Sequence, residues 1–220
     1  MISKLPKWIE YGAFVLAFVA GSINAIGLLG FDHQSVSHLS GTATLLGSSF
    51  HDSSFEQTAH LAGILGAFLI GASISGLLLH GSRLKLGRHY DTTLLLEAAL
   101  IFVSLYLLSN GSFYGHYTAS AACGIQNALA TTYSGAVIRT THLTGIFTDL
   151  GIMMGEAMRG RSFDKRKAIL FLLIISGFIT GATVGTFAFD LYQFNALLAP
   201  GVICIMLAGI YRFYSLVTSN

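Results

Sequence analysis

Six long apolar stretches constrain the fold of this 220-residue chain more than any other feature. A helix needs about 20 residues to cross a hydrocarbon core of about 30 Å, and each stretch is close to or above that length. A composition of 53% hydrophobic and only 10% charged residues leaves too little charged surface for a soluble domain. We therefore expect an all-α integral membrane protein embedded in a lipid bilayer, with six transmembrane helices at residues 8–30, 58–80, 92–109, 116–137, 168–189 and 196–214.

Two shorter apolar pieces lie between these spans, at residues 39–50 and 143–156. At about 1.5 Å per residue, helices of this length reach only roughly 18 to 21 Å, which is less than the thickness of the hydrocarbon core. We interpret both pieces as re-entrant half-helices, which enter and leave the membrane on the same side.

The two halves of the chain share a pair of motifs. Gly21 to Ala25 matches Gly124 to Ala128, and His38 to Gly41 matches His142 to Gly145. The displacement between the matched motifs is nearly constant, which indicates an internal repeat. Two repeats that together form one membrane domain are therefore predicted, at residues 1–110 and 111–220.

The positions of the basic residues favour opposite orientations for the two repeats. Lysine and arginine near span ends accumulate on the cytoplasmic side of a membrane. If both half-helices are re-entrant, every cation except Arg139 falls on one side of the membrane, together with both termini. If the half-helices crossed the membrane instead, the cations Arg83, Lys85 and Arg88 would fall on the outer side. Two inverted three-helix repeats are typical of many secondary transporters, and a duplication kept for packing alone is the alternative. The cations on the predicted cytoplasmic side are Lys4, Lys7, Arg83, Lys85, Arg88, Arg159, Arg161, Lys165, Arg166, Lys167 and Arg212.

The repeated motifs place polar groups where the two half-helices begin. An extended descent over residues 31–37 would bring the first half-helix N-terminus to the membrane centre, and residues 136–141 would do the same in the second repeat. Helix N-termini carry unpaired N–H groups and partial positive charge, which favour an anion or a polarised carbonyl. The predicted substrate-binding residues are Asn24, His38, Ser40, Gly41, Thr42, Asn127, Arg139, Thr141, His142, Thr144 and Gly145.

The polar side chains in this set also have structural alternatives. His38 and His142 would donate a hydrogen bond to the ligand or take up a proton, or else they would satisfy a buried carbonyl. Asn24 and Asn127 would contact the ligand or link two helices by hydrogen bonds. Arg139 would bind the anion or extend its charge to the cytoplasmic interface.

Small residues around the two histidines have a different expected role. Gly41 and Gly145 would let a ligand approach the backbone of the half-helices. Hydroxyl side chains just before the half-helices would cap their N-termini, namely Ser37, Thr140 and Thr141.

Two acidic residues are candidates for proton coupling. Glu97 lies within the third span with no cation close to it in the sequence, so it would relay protons or remain a protonated or interface-reaching carboxyl. Asp149 lies two helical turns after His142, on nearly the same helix face, where it would pair with Arg139 or relay protons.

Rows of small residues recur on the second and fifth spans at a spacing of four. In lipid, small side chains at this spacing let two helices approach closely. We expect the two rows to pack against each other or to form a homodimer interface. The rows are Ala67, Gly71 and Ser75, and Gly177, Gly181 and Gly185.

Several classes of function are disfavoured by composition. The 12 Lys+Arg nearly balance the 10 Asp+Glu, so no basic field points to nucleic acid. Cys123 and Cys204 lie inside apolar runs, where small core residues are expected rather than disulfides or metal ligands. Metal binding by the two motif histidines would need further ligands, so we expect neither a metal nor another cofactor.

At these motifs the chain resembles the YoaK-like family of small bacterial membrane proteins, a domain of unknown function. The resemblance extends over almost the whole chain. It implies a multi-pass protein of the bacterial inner (cytoplasmic) membrane with a role in transport, and it implies no particular substrate. It is carried by Gly21 to Ala25, Ser40-Gly41-Thr42, Gly124 to Ala128, and Arg139 to Gly145.

Transport is the function that the sequence favours. We expect a secondary transporter of a small anionic solute that works by alternating access, with proton coupling as an option. A channel for a small solute or anion is the alternative. An intramembrane enzyme is disfavoured, because Ser40 and the histidines lack a third orienting group and the spacing of a nucleophile elbow.

Overall fold

The computed structural model describes residues 8–30, 35–52, 54–79, 89–134 and 138–218, and these residues are almost entirely helical. The predicted all-α fold is confirmed, because each predicted apolar stretch and each short piece corresponds to one helix. The helices are α1 (Trp8–Gly30), α2 (Leu39–Asp52), α3 (Phe55–Leu78), α4 (Tyr90–Ser109), α5 (Tyr114–Ser134), α6 (Leu143–Met158), α7 (Lys165–Tyr192) and α8 (Leu198–Thr218), with a 3-10 helix at Gln193–Leu197.

Several of these helices are candidate membrane spans. Large apolar side chains remain exposed along them, including Leu77 on α3, Phe187 on α7 and Ile210 on α8, as expected for helices that face lipid. The chain is therefore a multi-pass membrane protein in contact with a lipid bilayer. Four stretches of the described chain are long and apolar enough to cross: Trp8–Gly30, Phe55–Leu78, Tyr90–Ser109 and Lys165–Leu216, the last of which contains both α7 and α8.

Helix α7 packs along α1 with its small-residue row against the α1 backbone. A Cβ atom on Gly181 would overlap the carbonyl of Phe18, and one on Gly185 would lie 2.8 Å from the carbonyl oxygen of Ser22. The hydroxyl of Ser22 donates to the Gly181 carbonyl at 3.0 Å. Residue numbers rise together along this contact, so α1 and α7 run parallel.

Helix α3 packs along α5 in the same way. A Cβ atom on Gly71 would overlap the carbonyl of Ala121, and one on Gly124 would overlap that of Phe68. The hydroxyl of Ser120 donates to the Ile64 carbonyl at 2.9 Å, and α3 and α5 also run parallel.

The small-residue rows therefore make close helix contacts, but not with the expected partners. The row on α3 faces α5 and the row on α7 faces α1, so the expectation that the rows pack on each other is wrong. The row glycines on α7 are buried inside one chain, so these faces are not available for the expected homodimer. A row of small side chains favours close approach of helices in lipid, but it does not specify which helix approaches.

Helices α1 and α5, which carry the matched Gly-to-Ala motifs, run antiparallel. The ring of Trp8 lies 6.0 Å from that of Tyr133. Further along, the side-chain amide of Gln126 donates to the Leu16 carbonyl at 2.5 Å. Since residue numbers rise on α1 while they fall on α5, the two helices point in opposite directions.

Helices α4 and α8, the last helix of each half, also run antiparallel. The guanidinium of Arg212 pairs with the Asp91 carboxylate at 2.9 Å, where α4 begins and α8 nears its end. At the other end of the contact, Gly201 of α8 lies against the ring of Phe102.

Aromatic and basic residues gather at one end of the bundle. Where α1 begins, the ring of Trp8 lies 6.0 Å from Tyr133 and 6.4 Å from Tyr214. The start of α7 lies at the same end, because Arg166 pairs with Glu10 at 2.9 Å. Aromatic residues and cations mark membrane interfaces. We call this the basic end; the cations on α7, α8 and the segment before α7 are Arg159, Arg161, Lys165, Arg166, Lys167 and Arg212.

Candidate functional site

A cavity of about 630 Å³ lies between α3 and α5, where α2 and α6 begin. Both repeated His motifs contribute side chains to it, although they are far apart in the sequence. The residues that line it are Ser37, His38, Leu39, Ser40, Phe68, Ala72, Gly76, Asn127, Ala128, Thr131, Thr132, Arg139, Thr141, His142 and Thr144.

The structure thus brings together seven of the eleven predicted substrate-binding residues. The set that lines the cavity is His38, Ser40, Asn127, Arg139, Thr141, His142 and Thr144. Four others do not line it, namely Asn24, Gly41, Thr42 and Gly145. A binding role for each of these residues remains a prediction.

Asn24 holds the segment that precedes α2. Its Oδ1 atom accepts hydrogen bonds from the hydroxyl of Ser35 at 2.5 Å, the backbone N–H of Ser37 at 3.2 Å and the Ser37 hydroxyl at 2.8 Å. Between these residues, the buried side chain of Val36 packs against Gly27 of α1. These hydrogen bonds link α1 to the segment before α2, whereas the structural alternative for Asn24 was a link between two helices.

Thr42 ties the same segment to α2. It is buried, and its hydroxyl lies 3.3 Å from the carbonyl oxygens of both Ser35 and His38. The described part of the descent is therefore fixed on α1 by Asn24 and on α2 by Thr42. Residues 31–34, where the predicted descent begins, lie outside the described residues.

Asn127, the counterpart of Asn24, has a different environment. Its Oδ1 atom is buried and accepts no hydrogen bond from the described residues. The hydroxyl of Thr140, in the segment before α6, is likewise buried and has no hydrogen-bond partner in the described part of the chain. In that segment the N–H of Ile138 donates to the hydroxyl of Ser134 at 2.7 Å, and residues 135–137 lie outside the described residues. The described part of the second segment, from Ile138 onward, is thus held to its helix without using the asparagine.

Both motif histidines come directly before a short helix, and each ring lies over a glycine. The His38 carbonyl accepts from the N–H of Thr42 at 3.1 Å, and His142 immediately precedes Leu143, the first residue of α6. A Cβ atom on Gly41 would lie 2.9 Å from Nδ1 of His38, and one on Gly145 would overlap the ring of His142. The glycines accommodate the imidazoles, and a ligand contact with their backbone remains a prediction.

Ser37 and Thr140, whose hydroxyls were predicted to cap the short helices, do not cap them. Ser37 donates to Asn24, the hydroxyl of Thr140 has no hydrogen-bond partner among the described residues, and the N-cap of α6 is His142, which makes no side-chain capping bond. Ser40 instead lies beside the histidine, with its hydroxyl 3.1 Å from Nε2 of His38. The N–H groups at the start of both helices are therefore not satisfied by those side chains.

The cavity is electropositive. Two helix N-termini, each carrying partial positive charge, border it, and Arg139 adds a full charge. Arg139 is exposed and pairs with no carboxylate in the part of the chain that the structure describes. No Asp or Glu is among the described residues that line the cavity. This arrangement suits a small anion.

The family model described as protein of unknown function (DUF1275) matches residues 12–210, a range that includes both repeated motifs and every residue of the cavity. The chain belongs to the DUF1275 family. The predicted membership of an uncharacterised family is thereby confirmed. Neither the curated proteins nor the solved structures contain a match to the chain.

The two acidic candidates of this DUF1275 protein lie outside the cavity lining. Asp149 is 3.7 Å from the ammonium of Lys167, so the expected pairing with Arg139 is wrong. Glu97 is fully buried in α4, with the thiol of Cys204 as a polar neighbour. A role in proton coupling remains a prediction for both carboxyls.

The sequence patterns missed several residues of the cavity. Thr131 lies one helical turn after Asn127, so helical periodicity would have found it. Phe68, Ala72 and Gly76 come from α3, and they reach the cavity only because α3 packs closely on α5. No local signal marks them, since each also fits an apolar span.

A second polar cluster, far from the basic end, was also missed. Nδ1 of His60 lies 3.0 Å from the Tyr117 hydroxyl, and its Nε2 lies 3.2 Å from Nδ1 of His116. These contacts join the second turn of α3 to the first turn of α5. The cluster fixes the two parallel helices to each other where both begin.

Proposed function

We propose that this protein is a secondary transporter of a small anionic solute, with the cavity between α3 and α5 as its substrate site. The observation that carries the proposal is the composition of that cavity. Both repeated motifs and Arg139 border it, and its described lining holds no carboxylate. Arg139 is exposed and pairs with no carboxylate among the described residues, so it is available to an anion in the cavity.

We further propose that the two halves are inverted repeats of three spans each, with α2 and α6 re-entrant. Two antiparallel pairs of matched helices support this orientation: α1 with α5, and α4 with α8. If α2 and α6 also crossed the membrane, the resulting eight-span chain would have α4 parallel to α8. The short helices have 14 and 16 residues, which also favours a re-entrant path.

The proposed orientation places the basic end and both termini in the cytoplasm, with the protein in a bacterial inner membrane. The described cations of α7, α8 and the preceding segment share this end, as the positive-inside rule requires. The other predicted cytoplasmic cations lie outside the described residues, namely Lys4, Lys7, Arg83, Lys85 and Arg88.

The position of the cavity along the helices resembles that in a carrier with its site accessible from one side. Its walls run from Phe68 to Gly76 on α3 and from Asn127 to Thr132 on α5, that is, from mid-helix toward the basic end. In the other half, the Val36 segment is closed onto α1. One open and one closed half favours alternating access over a continuous channel.

A second difference between the halves supports the same reading. Helix α4 packs on α5, where the Ser104 hydroxyl donates to the Gly115 carbonyl at 2.8 Å. The matched pair, α8 and α1, is in contact at Trp8 and Tyr214 but leaves an apolar gap of about 440 Å³ that Leu16 and Leu207 help to line. Closure of α8 onto α1, with release of α4 from α5, would give the opposite state.

Uptake into proteoliposomes tests the proposal. Labelled small carboxylates and inorganic anions should enter by a saturable route, and unlabelled anion inside the vesicles should accelerate uptake. Flux that rises linearly with concentration and shows no such counterflow would support the channel. Hydrolysis of an added ester in the absence of flux would support the enzyme.

A further inference from the structure

We propose that the substrate is a small organic carboxylate that also bears a hydroxyl group, and that Asn127 accepts the hydrogen bond of that hydroxyl. This inference rests on the proposed function and specifies the chemistry of the same site. It derives from a difference between the two halves of the chain.

The two matched asparagines differ in what their oxygens bind. Oδ1 of Asn24 accepts three hydrogen bonds from the segment before α2. Oδ1 of Asn127 is buried beside the cavity and accepts none from the residues that the structure describes. A buried acceptor without a donor is costly, and a ligand that supplies the donor removes that cost on binding. Asn127 is therefore placed to select a ligand with an O–H or N–H group.

The charge of the cavity decides which donor the ligand carries. Arg139 has no carboxylate partner among the described residues, so it is available for an anionic group of the ligand. An ammonium donor would need a carboxylate near it, and the described lining contains none. A neutral hydroxyl satisfies Asn127 without this penalty. Amino acids are thus disfavoured relative to hydroxy acids of the same skeleton.

The walls of the cavity indicate an organic ligand rather than an inorganic anion. Phe68, Ala72, Ala128 and Leu39 contribute apolar surface, and the volume of about 630 Å³ lies within the usual range for small-molecule sites. A strongly hydrated inorganic ion would leave these apolar walls without contacts. An organic acid places its carboxylate at Arg139 and its carbon skeleton against the walls.

Two matched sets of acids test the inference by calorimetry on the purified full-length protein. The first set is propanoate, 2-hydroxypropanoate and 2-aminopropanoate; the second carries the same three groups on a 3-phenylpropanoate skeleton. In at least one set, the hydroxy acid should bind about tenfold more tightly than its parent acid, and the amino acid should bind most weakly. Equal affinities within both sets, tighter binding of an amino acid, or tighter binding of inorganic phosphate would overturn the inference.

Variants of Asn127 connect the preference to this side chain. Asn127→Ala should reduce the affinity for the hydroxy acid to that of the parent acid and leave the parent unchanged. Asn127→Asp should shift the preference toward the amino acid, because the new carboxylate offsets the ammonium charge. Thr183→Val on α7 is the matched control: Thr183 does not line the cavity, and its hydroxyl donates to the backbone carbonyl of Ile179 at 2.9 Å, so the hydroxyl preference should persist.

The outcomes separate this inference from the proposed function. If the carboxylates bind without regard to the hydroxyl, and binding weakens in Arg139→Gln, the anion site stands and the role of Asn127 is wrong. If neither the carboxylates nor inorganic phosphate binds to the wild type, or if they bind equally well to Arg139→Gln, the anion site is wrong as well.

Discussion

Asn24 and Asn127 occupy matched positions in the two halves, yet among the described residues only Asn24 is bonded through its side-chain oxygen to the segment that follows its helix. The matched asparagines therefore have different structural roles. Asn24 holds the segment before α2 onto α1, whereas Asn127 lines the cavity.

Removal of the two asparagine side chains should have unequal effects on stability. Asn24→Ala removes the acceptor of three hydrogen bonds, so we expect it to lower the free energy of unfolding by about 1 to 3 kcal/mol. Asn127→Ala removes a buried oxygen that has no hydrogen-bond partner among the described residues, so it should be neutral or stabilising. Thermal unfolding of both variants in the same detergent measures the difference, and equal losses would contradict it.

Arg139 should be the main electrostatic determinant of anion binding. Arg139→Gln should weaken binding of a transported anion by about 1.5 to 3 kcal/mol, or roughly tenfold to over a hundredfold. Arg139→Lys should retain part of the affinity, because the charge remains while the planar donor geometry is lost. Calorimetry on the three proteins measures the affinities. If all three are equal, Arg139 extends to the interface and does not bind the ligand.

The close contact of α7 with α1 should not tolerate a large side chain. Gly181→Leu would place atoms on the Phe18 carbonyl and force the two backbones apart, so we expect a clearly lower melting temperature. Gly66→Leu on α3 is the matched control, since a Cβ atom there meets no other atom within 4 Å. Similar melting temperatures for both variants would show that the α1–α7 contact contributes little.

Glu97 is the stronger of the two candidates for proton coupling. It is fully buried within a candidate span, whereas Asp149 is about half exposed and pairs with Lys167. In proteoliposomes with an imposed pH gradient, Glu97→Gln should lose the gradient-driven part of anion uptake and keep counterflow. Asp149→Asn serves as the control and should keep both. Gradient-driven uptake that persists in Glu97→Gln would exclude the role.

The sequence was sufficient to predict the helices and the convergence of the two motifs. Apolar length locates each span, and the matched motifs require matched positions in the two halves, so His38 and His142 could be expected near one site. Those inferences depend on local composition and on the repeat, and both can be read directly from the amino-acid sequence.

Tertiary packing decides the features that the sequence did not predict. Local patterns did not predict that the preceding histidine rings lie over Gly41 and Gly145. The rows on α3 and α7 signal close approach and leave the partner helix open, because every apolar span offers a similar surface in lipid. The different bonding of Asn24 and Asn127 depends on Ser35 and on its counterpart Arg139, a departure from the repeat whose effect appears only in three dimensions.

The central claim is that the two halves enter the membrane in opposite orientations and together build one site. Single cysteines at Asn110, in the turn between α4 and α5, and at Ser162, between α6 and α7, test it most directly, because both positions are exposed and the native Cys123 and Cys204 are buried. An impermeant thiol reagent applied to intact cells should label Asn110→Cys, and should label Ser162→Cys only after the membrane is permeabilised. Equal labelling of both cysteines from one side is what an eight-span chain would give, and it would contradict the inverted repeat.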